Sequence, residues 1–191
     1  MPNVRERLFD AAERVLERGG PAGLTNRAVT EEAGCAKGLL YNHFTDLDDF
    51  VTQLVLNRFR QVAEELAPLP TLAGTGEVLG HLAGAARTLL GSNGPALTAA
   101  AMSRPGVAAR VREEWAGGAP GPGAVEGLIA DYLAAEQRLG RVREEADRAV
   151  IALAIVGTVH HLLMTGASAG EEGRRLLERL VATVAGGAVA P

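Results

Sequence analysis

The sequence predicts an all-α chain: three short helices, one long connecting helix and a C-terminal helical bundle. Three observations predict it. Apolar residues recur at helical spacing along the whole of the 191 residues, with no strand-like alternation and no internal repeat. Breakers rich in Gly and Pro cut the chain into segments of helix length. The apolar share is 47% with only 4% aromatic, dominated by Ala, Leu and Val, a composition that suits helices packed closely on helices.

Taken in order, Leu8, Ala11, Ala12, Val15 and Leu16 form the first helical face. Asn3 and Glu6 stand where a capping box starts a helix, and Gly19-Gly20-Pro21 stops it. Thr25 caps a second helix, with Leu24 and Val29 placed as a hydrophobic staple, and Gly34 suits the left-handed position that closes it. A third short helix is expected over about Ala36–Phe44. Asp46 caps a long fourth helix, 47–66, whose apolar face is Phe50, Val51, Leu54, Val55, Phe59, Val62 and Leu66, and Pro68-Leu69-Pro70 ends it. Further helices are expected at about 77–91, 95–102, 106–116, 124–137, 147–166 and 172–185, separated by breakers at 91–95, 104–106 and 117–123 and by turns near Gly140 and Ser168–Gly170. The tail from Gly186 to Pro191 is expected to fray. This gives one domain over 1–46 and a second over 47–191, joined by helix 47–66.

Composition excludes several function classes. The net charge of −4 means that any nucleic-acid contact must come from a local patch rather than from a polycationic chain. Of the 19 basic residues 18 are Arg, and Lys37 is the one Lys. A single cysteine, Cys35, rules out an intramolecular disulfide and Cys-rich metal sites; it reads as a buried structural thiol. The first 20 residues carry charges throughout and show no signal-peptide pattern, so a reducing cytoplasm is expected. Residues 149–170 carry no formal charge over 22 positions; the adjacent His160 and His161, with amphipathic neighbours, favour a helix buried on both sides over a membrane span. No catalytic motif is present: no nucleophile elbow, P-loop, zinc-protease or dinucleotide fingerprint. No metal site or cofactor is expected, because His160 and His161 point about 100° apart on a helix.

Function is carried by residues 24–44, LTNRAVTEEAGCAKGLLYNHF. Two short helices around a Gly-containing turn make a helix-turn-helix. Ala28, Val29 and Ala33 hold the first helix down, and Leu40 and Phe44 hold the second. Lys37, Gly38, Leu39, Tyr41, Asn42 and His43 are left for a partner; Gly38 permits close approach, and Lys37, Asn42 and His43 supply donors for base edges or phosphates.

Over about residues 5–55 this pattern resembles the tetracycline-repressor (TetR) family, through Arg7–Asp10-Ala11-Ala12, Leu24-Thr25, Ala33-Gly34 and Lys37-Gly38-Leu39-Leu40-Tyr41-Asn42-His43-Phe44. The resemblance implies a homodimeric regulator with an N-terminal DNA-binding domain and a C-terminal ligand-binding and dimerisation domain, released from a palindromic operator by a small molecule. It places Asn26, Arg27, Lys37, Gly38, Leu39, Tyr41, Asn42 and His43 at double-stranded DNA, with Tyr41 and His43 on phosphate. The chain departs from the family pattern at Ala36, where a capping Ser is common, at Leu39, where Thr is common, and at Leu47, where Lys is common. Residues 1–50 hold six basic and nine acidic side chains. That acidity motivates an alternative: a helical ligand sensor with weak or lost DNA binding, acting through protein partners.

For the ligand, Phe59, His81, Leu82, Met102, Trp115, Leu128 and Tyr132 come from the helices the family uses around its pocket, and they suit a small apolar or aromatic molecule with one or two polar anchors. Dimerisation is expected through about residues 147–185, where one helix is apolar on nearly all sides and the next adds Leu176, Leu177, Leu180, Val181 and Val184.

Overall fold

A computed structural model of the chain describes residues 3–91, 94–165 and 170–190. The described residues form helices α1 (Val4–Gly23), α2 (Asn26–Glu32), α3 (Leu47–Leu66), α4 (Val78–Leu90), α5 (Gly94–Met102), α6 (Pro105–Ala116), α7 (Pro122–Arg138), α8 (Arg148–Thr165) and α9 (Gly170–Ala185). Short 3₁₀ turns lie at Leu40–Asn42 and Leu69–Leu72. The last residue of the helix expected to 166, and the turn expected near Ser168, fall outside the described residues.

The chain divides into two compact units, 1–58 with 92–119 and 59–91 with 120–191. The expected boundary after residue 46 is therefore not the one by which contacts divide the chain: the start of α3, and α5 and α6, belong with the first unit.

In the first unit, local chemistry sets the helix ends. Asn3 accepts from the Glu6 N–H at 2.9 Å while Glu6 accepts from the Asn3 N–H at 2.8 Å, the reciprocal box that starts α1. Gly20, at φ +60°, breaks the helical path ahead of Pro21. The Thr25 hydroxyl accepts from the Ala28 N–H at 3.1 Å to start α2. Gly34 ends it at φ +64°, with Gly34 N–H on the Glu31 carbonyl and Cys35 N–H on the Thr30 carbonyl, the paired bonds of a Schellman close. Asp46 caps α3 through the Asp49 N–H at 2.6 Å. Around these ends Leu8, Phe9, Leu16, Leu24, Val29, Leu40, Phe44, Phe50 and Leu54 are buried. Phe9, Phe44 and Phe50 meet with ring centroids 4.9–5.7 Å apart. Glu32 binds both Arg14 and Arg18, tying the end of α2 to α1. These two guanidinium groups hold the Glu32 carboxyl at about 2, well below its ordinary value.

One element differs from expectation. The segment 36–44 is not an α-helix but a turn at Ala36–Leu39 followed by the 3₁₀ turn, closed by Phe44 N–H on the Leu40 carbonyl. Two residues explain this. Ala36 has no side-chain oxygen to cap a helix, and Gly38 in a helix interior costs about 1 kcal/mol relative to Ala. Burial of Leu40 and Phe44 fixes the segment instead.

In the second unit, α4, α7, α8 and α9 pack around Leu82, Ala86, Ile129, Tyr132, Leu133, Ile155, Val159, Leu177 and Val181. Two expectations are corrected here. Helix α8 is not buried on both sides within the chain: Val150 and Leu153 are each 57% exposed, and Met164 is exposed too. It remains long and apolar enough, by length and composition, to cross a membrane. The tail does not fray over 186–190, because Val189 bridges Val142, Arg143 N–H donates to the Ala188 carbonyl at 2.8 Å, and Ala190 N–H to the Arg141 carbonyl at 2.9 Å.

Candidate nucleic-acid interface

The reading segment is built by α2, the turn behind it and the 3₁₀ turn in front. Leu40 is fully buried and Phe44 nearly so, which turns the intervening side chains outward. Lys37, Gly38 and Asn42 are exposed, Tyr41 is 55% exposed, and Leu39 and His43 are half-buried. This contiguous strip holds an ammonium, an amide, a phenol and an imidazole beside a glycine that adds no bulk. It supplies donors for phosphate oxygens and base edges and has no general base set against a nucleophile.

Asn26 and Arg27 are positioned differently from the strip. The Asn26 amide donates to the Lys37 carbonyl at 3.3 Å, bracing the start of α2 against the start of the reading segment. Arg27 is exposed on α2 and pairs with Glu31 at 2.7 Å, one turn on. The structure thus brings Asn26 to Lys37, while Arg27 projects with its charge already shared.

Arginines distant in sequence support the same region. Arg7 donates to the Ala33 carbonyl at 3.0 Å, holding the end of α2. Arg5 donates to the His43 carbonyl at 3.2 Å, and its guanidinium carbon lies 4.5 Å from the centre of the Phe44 ring. Arg104, just before α6, pairs with Asp48 at 2.6 Å, and Arg110 of α6 pairs with Asp46 at 3.4 Å. The α3-capping bond from Asp49, with help from Arg110, lowers the pKa of the Asp46 carboxyl. Counting α5 and α6, the first unit holds ten basic and eleven acidic residues, a smaller acid excess than that of residues 1–50; Arg58 makes up half of the difference, and Arg104, Arg110 and Arg112 less Glu113 and Glu114 the other half. Sequence reading missed Arg104 and Arg110, since Arg104 stands in an Arg-Pro-Gly breaker and neither arginine has a local pattern pointing to Asp46 or Asp48.

The seven candidate ligand residues are divided. Met102, exposed, and Trp115, half-buried, lie in the first unit; Phe59, His81, Leu82, Leu128 and Tyr132 lie in the second. Leu82 and Tyr132 are fully buried in its core, and Phe59 and Leu128 pack against it. Among the seven, direct polar contact joins His81 to Tyr132, Nδ1 to the hydroxyl at 3.0 Å. The Tyr132 hydroxyl in turn donates to Glu136 at 2.7 Å. Burial first, then the bond to Glu136, pushes the Tyr132 hydroxyl up, so it stays a donor at neutral pH. A cavity of about 400 Å³ in this unit is lined by Gly76, Glu77, Val78, Leu79, Gly140, Arg141, Val189 and Ala190, and by none of the seven.

Residues 8–54, which contain the whole reading segment, match the model of the bacterial regulatory proteins of the tetR family. Over that stretch, about a quarter of the chain, the sequence is similar to the tetR family. Solved TetR-like structures share its fold across nearly the full length. A TetR transcriptional regulator from Streptomyces coelicolor is 19% identical, with 97% of this chain and 98% of that one covered and a TM-score of 0.62. The transcriptional regulator FadR from Bacillus subtilis, solved in complex with stearoyl-CoA, is 16% identical over 95% and 98%, with a TM-score of 0.68. The ketosteroid transcriptional regulator KstR2 of Mycobacterium tuberculosis is 16% identical over 100% and 97%, with a TM-score of 0.59. A search of curated proteins found no significant match. The chain therefore shares the fold of these solved regulators, and the stretch that matches the tetR model lies in the first unit.

Proposed function

We propose that this chain is a TetR-type regulator: a cytoplasmic, ligand-responsive repressor that binds a palindromic operator as a homodimer and is released by a small molecule. The strip Lys37–His43, raised on buried Leu40 and Phe44, carries this reading. Lys37 and Asn42 address base edges, Gly38 and Leu39 allow close approach, and Tyr41, His43, Asn26 and Arg27 address the backbone. A two-fold dimer would present two such strips to half-sites about 34–36 Å apart or a multiple of that.

The dimer reading rests on α8. Val150, Leu153, Gly157, His160 and Met164, all exposed, follow each other at spacings of three and four, the seam of a helix that packs on another helix. With Leu176 and Leu180 of α9 they would form an isologous four-helix contact within residues 147–185. For the ligand, the stearoyl chain of the stearoyl-CoA held by the B. subtilis FadR supports an apolar portion in the inducer, while its CoA part is anionic, unlike the ligand expected here. Entry beside Tyr132 and Leu82 requires the core of the second unit to repack, which gives ligand binding a means of changing the dimer's preferred state.

Selection of duplexes from a random pool tests the proposal. An inverted repeat should emerge, bound by two chains. A pool that never enriches, or a single half-site bound by one chain, would refute it.

A further inference from the structure

Three arginines from outside the reading segment converge on its end and on the chain that follows it, all within the first unit. Arg5 of α1 is on the His43 carbonyl at 3.2 Å, Arg110 of α6 is on Asp46 at 3.4 Å, and Arg104 is on Asp48 at 2.6 Å. They differ in what remains available. The Arg104 side chain is 28% exposed and its pair is short. The Arg110 side chain is 46% exposed, its pair is long, and the oxygen it faces already accepts the Asp49 N–H that starts α3. Arg5 rests on a carbonyl and a ring face, both neutral, so its charge is not shared there.

We propose that Arg5 and Arg110 form a phosphate clamp at the two ends of segment 43–46, extending the nucleic-acid surface of the first unit onto α6. The inference rests on the DNA-binding reading above. Three residues of chain span at most about 10 Å, so a DNA strand that touches His43 passes within an arginine's reach of Asp46. An exposed ion pair contributes little to stability, so exchanging the Asp46 carboxylate for a phosphate oxygen costs the fold little. A guanidinium offers a phosphate two parallel donors, a better fit than the single long contact to Asp46. Asp46 therefore acts as a placeholder that competes with DNA for Arg110.

The test uses the full chain and a fluorescent mixed-sequence duplex, titrated over a range of salt. Each phosphate contact contributes about 0.9 to the slope of log K against log salt. Arg110→Gln should make the slope shallower by about 0.9 for each bound protomer and weaken binding at low salt several-fold. Arg110→Lys should restore most of both. Asp46→Asn keeps the helix cap, because Asn caps as well as Asp, and should tighten binding several-fold by freeing Arg110. In the Arg110→Gln background that gain should vanish. A wild-type slope in Arg110→Gln, or a full Asp46→Asn gain in its absence, would overturn the clamp. A wild-type chain that binds neither this duplex nor a selected one refutes the DNA-binding reading itself, a separate outcome.

Discussion

Removal of the Glu136 carboxylate should strongly destabilise the second unit. Glu136 is fully buried on α7. Its Oε1 accepts the Tyr132 hydroxyl at 2.7 Å; its Oε2 accepts the Gly74 N–H at 3.2 Å and lies 3.6 Å from Arg141 Nε. Arg141 also donates to the Thr75 and Gly76 carbonyls at 3.1 and 2.6 Å, so the carboxylate ties the loop before α4 to α7. Glu136→Ala strips one partner from this buried pair, a change that typically costs about 3–5 kcal/mol. The Arg141 side chain is 30% exposed and its guanidinium has water as an alternative, which favours the lower end, about 3 kcal/mol. Glu136→Gln keeps the shape and one acceptor, at about 1–2 kcal/mol, and Tyr132→Phe deletes one hydroxyl, at about 1 kcal/mol. For a chain of this size each kcal/mol shifts Tm by about 2–4 °C, so Glu136→Ala should melt about 6–12 °C lower. Thermal and urea unfolding followed by circular dichroism would measure the series. A loss under about 1 kcal/mol for Glu136→Ala, or Tyr132→Phe as the worst of the three, would mean that the carboxylate does not hold the loop before α4 to α7.

Three further outcomes follow from other parts of the chain. Gly34→Ala meets no atom within 4 Å but must hold φ +64°, so it should destabilise the first unit by about 1–2 kcal/mol in a melt, while Gly38→Ala, which also meets nothing, should not. The Glu32 carboxyl is depressed to about 2, so its contribution is present above its ordinary value and lost as pH falls towards 2; Glu32→Gln should flatten the acid limb of a stability–pH curve, and an unchanged limb would discount the Arg14 and Arg18 pairs. Leu153→Asp, on the exposed face of α8, should move the light-scattering mass from about twice 19.8 kDa to 19.8 kDa with the melt little changed, and a persisting dimer would place the interface elsewhere.

What the sequence showed and what it hid divide by range. The Asn3–Glu6 box, the Thr25 and Asp46 caps and the Gly34 close are bonds between residues three to five apart, and each was legible from residue type alone. The reading strip was legible for the same reason, since Leu40 and Phe44 are one turn apart and define what faces outward. The type of the 36–44 segment was not, because apolar spacing continues through a turn that Ala36 and Gly38 cannot hold as an α-helix. Long-range partners left no trace: Arg110 and Asp46 are 64 positions apart, and Val142 meets Val189 across the whole of α8 and α9. Glu136 reads as one more surface charge on an amphipathic helix until Tyr132, Gly74 and Arg141 surround it. The open face of α8 was hidden by uniform apolarity, which gives a helix no visible outside.

Whether Lys37–His43 reads DNA is decided by one titration of wild type and Lys37→Ala against a selected operator and its scrambled counterpart at several salt concentrations. Lys37→Ala should lose about 1–3 kcal/mol on the operator, with relaxed preference at one base per half-site. Scrambled DNA should be affected much less. Equal operator affinity for Lys37→Ala and wild type would mean that Lys37–His43 does not read DNA.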